Sequence, residues 1–109
     1  MPREDRRIIF DYEEVYKALY AFCVQKERKK PPAGAITTLA ADTNDESRIF
    51  VRYENRLDAE SRPVMVEYSR DFLAAALMVY CRGCGIPLPK KARKSVMIGE
   101  TDVILRAEM

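Results

Sequence analysis

Ile8-Ile9-Phe10-Asp11-Tyr12-Glu13-Glu14-Val15 passes from strand to cap to helix within eight residues. The same passage recurs at Val66-Glu67-Tyr68-Ser69-Arg70-Asp71-Phe72-Leu73. In each, a short apolar run ends at a residue whose side-chain oxygen can accept from the first free amides of a helix, Asp11 in one and Ser69 in the other. Glu14 stands where the reciprocal partner of a capping box belongs. An amphipathic stripe follows each cap at helical spacing: Val15, Ala18, Leu19, Phe22 and Cys23, then Leu73, Ala76, Leu77, Tyr80 and Cys81. These stripes predict helices from the caps to about Glu27 and about Arg82.

Residues Ile8 to Leu39 lie on Val66 to Met97 without a gap, at the 58-position separation of Ile8 from Val66. Few identities support the alignment: Ala18/Ala76, Leu19/Leu77, Cys23/Cys81 and Pro31/Pro89. The common order of strand, cap, stripe, break and hairpin supports it better. The first hairpin is expected over Ile36 to Ala41 and Arg48 to Tyr53, turning through Asp42-Thr43-Asn44-Asp45, residues that bond their own backbone. The second is expected over Ser95 to Ile98 and Val103 to Arg106. The predicted class is α+β. It comprises two tandem β-α-β-β pseudo-repeats, residues 7–54 and 63–109, in one compact domain with a flexible tail over 1–6 and a linker over 55–62. Antiparallel hairpins are expected to carry both helices on one side.

The 109 residues are 48% apolar and 33% charged, with a net charge of +2. That length can bury a core without metal or disulfide support. No stretch approaches the roughly 20 apolar residues of a membrane helix, and the charged start carries no apolar core of a signal peptide. Three cysteines cannot close a disulfide framework among themselves, so a reducing cytoplasm is expected. The chain has no His, hence no usual base or acid near neutral pH. No phosphate-cradling glycine loop, nucleophile elbow or HExxH stretch is present. Neighbouring carboxylates such as Glu13-Glu14 and Asp45-Glu46 suit a helix start and a turn. The expectation is a non-enzymatic protein with no cofactor and no small-molecule substrate.

Three sets of residues carry the functional expectations. The first is apolar: Phe72, Ala75 and Val79 give the second helix an extra apolar face, and Phe50 and Ile104 break strand alternation at aligned positions. A homodimer or other protein partner explains these residues; packing within the chain is the competing account. The second is basic: Lys26, Arg28, Lys29 and Lys30 after the first helix, and Lys90, Lys91, Arg93 and Lys94 after the second, a footprint for phosphate backbones. The third is Cys81 with Cys84, whose spacing suits redox or a dimer-shared metal site. Cys81 aligns with core-stripe Cys23 and ends its helix, where the dipole disfavours a thiolate. Tyr12, Tyr16 and Tyr20 form a further row beside the first stripe, suited to an interface or to packing against the hairpin.

Overall fold

The computed structural model describes residues 4–109. The elements in order are β1 (Asp5–Asp11), α1 (Tyr12–Gln25), β2 (Ala35–Ala41), β3 (Arg48–Glu54), β4 (Val64–Ser69), α2 (Arg70–Gly83), β5 (Arg93–Ile98) and β6 (Asp102–Glu108). The molecule is α+β, with two helices and two three-stranded antiparallel sheets. β1 begins at Asp5, so strand occupies two positions expected in the tail; residues 1–3 lie outside the described residues. Among the described residues no helix is long and apolar enough to cross a membrane.

Each leading strand joins the hairpin of the other half. One sheet has the order β1-β6-β5 and the other β2-β3-β4. Phe10 pairs with Val103 and Ile8 with Leu105, while Tyr68 pairs with Ile49 and Val66 with Val51. α1 packs on α2 and on strands of both sheets; α2 packs on β4 and β5. One core therefore unites both halves. All five residues of the first stripe are buried, as are Leu73, Ala76, Leu77 and Cys81 of the second. Fully burying a Leu, Ile, Val or Phe side chain contributes about 1.5–3 kcal/mol. With Leu19, Ile49, Leu73, Leu77 and Leu105 almost fully shielded, the interior dominates the stability.

The helix boundaries follow local chemistry. Asp11 accepts from the Glu14 amide at 2.8 Å, and the Asp11 amide donates to Glu14 Oε1 at 3.1 Å. Ser69 Oγ accepts from the Phe72 amide at 3.0 Å. Such caps are typically worth about 1 kcal/mol. Both helices end in a Schellman motif. Arg28 N donates to Cys23 O and Glu27 N to Val24 O; Ile86 N donates to Cys81 O and Gly85 N to Arg82 O. The left-handed position is Glu27 (φ 53) in the first and Gly85 (φ 73) in the second. The first helix thus closes at Gln25, two residues short of the expected end.

The hairpin tips are held by the first residue of the helix from the other half. Tyr12 Oη donates to Glu100 O at 2.9 Å, and Arg70 Nε to Glu46 O at 2.7 Å. The gapless alignment fails further on. Buried Leu39 pairs with Val51 and buried Val96 with Leu105, so Leu39 corresponds to Val96 rather than to exposed Met97. A bulge between Ile36 and Thr38 inserts one residue into β2, and a single-residue slip reverses every side chain on a strand.

Candidate interaction surfaces

The outer face of the β1-β6-β5 sheet carries the clearest unsatisfied feature. Alternation from buried Phe10, Val103 and Val96 turns Ile9, Ile104 and Met97 outward. Ile9 pairs with Ile104 and Ile104 with Met97, so the three form one apolar row across all three strands. Ile9 is 61% exposed and Met97 39%. Two positions along the strands on one side lie Arg7 and Arg106, which pair with each other; on the other side lie Asp11 and Asp102, likewise paired. The apolar row is therefore bordered by a basic pair and an acidic pair. Arg106 also holds Asp5 by a two-pronged contact at 2.8 and 3.0 Å. That hydrogen-bonded guanidinium keeps the Asp5 carboxyl below its ordinary range.

Of the five apolar residues singled out from the sequence, Ile104 belongs to this row. Phe50 lies on the other sheet between Ala40 and Glu67, with the Arg48 guanidinium 5.4 Å from its ring centre. Arg48 is tied in turn to Glu67 and Asp42, and the Phe50 ring beside it is half-buried. Phe72, Ala75 and Val79 pack against the core from half-buried positions. The Phe72 ring sits 4.9 Å from Phe22, stacks on Tyr68 at 5.7 Å and lies beneath Arg28 at 4.5 Å. Packing within the chain covers part of the extra apolar face of α2 and leaves Phe72, Ala75 and Val79 half-buried. The sequence reading missed Ile9 and Met97. Ile9 between inward Ile8 and Phe10 is a strand-period signal, legible only once β1 is recognised as a strand with a solvent face.

Of the tyrosine row, Tyr16 packs toward the interior, Tyr12 reaches a hairpin tip and Tyr20 is 39% exposed. Tyr16 Oη donates to Pro32 O at 2.9 Å and its ring meets Tyr53 edge-on at 5.8 Å. Tyr53 and Tyr68 hydroxyls share a buried hydrogen bond of 2.8 Å. Burial pushes both phenols above their ordinary titration range.

The two basic groups differ in placement. Lys26 caps α1 directly, so the first group follows its helix without delay. The second begins seven residues beyond Gly83, and Arg93 and Lys94 already belong to β5. The gapless alignment does not superpose them. Arg28, Lys29 and Lys30 wall a cleft closed on its other side by Val64 to Tyr68. Lys90, Lys94 and Arg82 border another, floored by Met78, Ile86 and Leu88.

Cys81 is buried in the core, and burial, with a smaller contribution from nearby Cys84, raises its thiol above the ordinary range. Cys84 is exposed at the α2 C-cap. A site shared between two chains needs both sulfurs at the surface, which Cys81 does not provide. Among the described residues no group of three or more His, Cys, Asp or Glu side chains is assembled that could hold a metal ion. No protein-family model matches the chain, and comparisons with curated proteins and with solved structures return no match.

Proposed function

We propose that the chain is a non-enzymatic interaction module that pairs with a second copy of itself through the outer face of the β1-β6-β5 sheet. The carrying observation is the apolar row Ile9–Ile104–Met97 between Arg7/Arg106 and Asp11/Asp102. A twofold axis along that row lays apolar on apolar and sets Arg7/Arg106, already engaged within the chain by Asp5 and Glu108, over the second copy's Asp11/Asp102, an arrangement compatible with a twofold dimer. Three strands of six or seven residues present roughly 14 by 24 Å at most, about 340 Å² in projection for each copy. Two such faces bury about 680 Å² in projection, below the roughly 1,200 Å² of stable specific interfaces, so the expected association is weak and reversible. All three cysteines are unpaired, in keeping with a reducing compartment such as the cytoplasm.

The proposal extends to a duplicated origin, two tandem β-α-β-β pseudo-repeats. It is supported by α1 and α2, 14 residues each and beginning 58 positions apart at Tyr12 and Arg70. The Schellman positions Glu27 and Gly85, the crossed strand orders and the paired hairpin clasps also support it.

Sedimentation velocity across a wide concentration range tests the pairing. A monomer–dimer equilibrium is expected, with Ile104→Lys raising the dissociation constant about tenfold or more at an unchanged melting temperature. A chain that stays monomeric into the high micromolar, or a dimer indifferent to Ile104→Lys, overturns it.

A further inference from the structure

The geometry points to a second binding surface, independent of the sheet face: cations at the two ends of α2 that grip the phosphate backbone of a nucleic-acid duplex. Seven ion pairs form among the described residues, and none involves the two basic groups. Aromatic rings hold much of the first group instead. Lys26 Nζ lies 5.5 Å from the Phe22 ring centre, the Arg28 guanidinium 4.5 Å from Phe72, and Lys30 Nζ 5.7 Å from Tyr20. A ring steadies a cation without neutralising it, so the positive potential stays available.

The carboxylate lining the first cleft, Glu67, is already engaged by Arg48. The second cleft, bordered by Arg82, Lys90 and Lys94, has no carboxylate among its described lining residues. α2 sets the spacing. Phe72 beneath Arg28 and Arg82 in the second cleft are ten positions apart, about 15 Å along the axis and within a quarter turn of each other. With phosphates spaced about 3.4 Å along the axis of one duplex strand, that length matches four or five base pairs. A single backbone can then reach both groups. The contacts offered are charge rather than base edges, so binding is indifferent to sequence.

Fluorescence anisotropy of the full chain with a labelled mixed-sequence duplex, titrated between about 50 and 200 mM salt, tests this. The expected affinity falls steeply with salt, with a log–log slope of about −0.9 per phosphate engaged. Lys29→Glu with Lys30→Glu, and separately Lys90→Glu with Lys91→Glu, each weaken binding about tenfold and flatten the slope by about 2. All four replaced lysines are exposed, and unchanged melting temperatures exclude unfolding as the cause. No binding at the lower salt, or binding that survives both pairs, overturns the inference. Tighter binding of polyglutamate than of duplex also overturns it, assigning the cations to an acidic polypeptide.

Discussion

The hydroxyls of Tyr53 and Tyr68 meet at 2.8 Å in an interior where no buried side-chain N or O atom among the described residues lacks a partner. Replacing Tyr53 with Phe strands the Tyr68 hydroxyl and costs about 1–3 kcal/mol. Replacing both removes donor and acceptor together and is expected to recover most of that loss. Urea unfolding of the two single variants and the double variant checks this: losses that simply add remove the coupling. The same pair sets an alkaline limit. A phenol raised above its ordinary value stays neutral in the fold after its unfolded counterpart has ionised. Its contribution is complete below pH 10.0, the unperturbed value, and is lost as pH rises toward the folded value. Tyr53→Phe with Tyr68→Phe should move alkaline unfolding to higher pH. At this scale the sequence was legible where a residue's role depends on its own helix. Cys81 read as core because it continues the Leu73–Leu77 stripe, and it is buried. The Tyr53–Tyr68 bond was not legible, because it joins side chains of two strands whose adjacency no local pattern declares.

Both helices close with the same hydrogen bonds, yet one uses Gly85 and the other Glu27 at the left-handed position. A side chain in that conformation costs about 1–2 kcal/mol, partly offset by the greater unfolded freedom of glycine. Glu27→Gly is therefore expected to stabilise the chain by about 0.5–1 kcal/mol, read as a higher denaturant midpoint with an unchanged slope. A lower midpoint shows that Glu27 makes a compensating contribution. Gly34 has the opposite character. At φ 121, an added Cβ would stand 2.3 Å from Glu54 O, so β2 can start beside the end of β3 only with glycine there. Caps, stripes and hairpin turns were legible because each is decided within a few residues. The extra residue in β2 was not, since Ile36, Thr37 and Thr38 fit an ordinary strand by composition. Only pairing with Tyr53 and Arg52 exposes the insertion.

Across the whole molecule, the decisive fact is the crossing of β1 and β4 into each other's sheets. The order of elements was readable from the sequence, but the choice of partner was not: Ile8 and Phe10 suit any apolar sheet equally well. The crossing makes the connection between halves dispensable once folding is complete. Arg56 and Arg62 stand exposed in the segment between Glu54 and Val64, beside a fully exposed Leu57. Cleavage there by an arginine-specific protease is expected to leave the two pieces together on native gel filtration, separating only in denaturant. Pieces that part under native conditions contradict a shared core. The crossing has a further consequence on the ribosome. β1 is made early, but its partner β6 follows on the order of 100 residues later, roughly 5–20 s at usual translation rates. β2, β3 and β4 can meet well before then. Through that interval the Ile8–Phe10 segment has no strand partner, so its apolar side chains must wait for the last strand before their sheet can close.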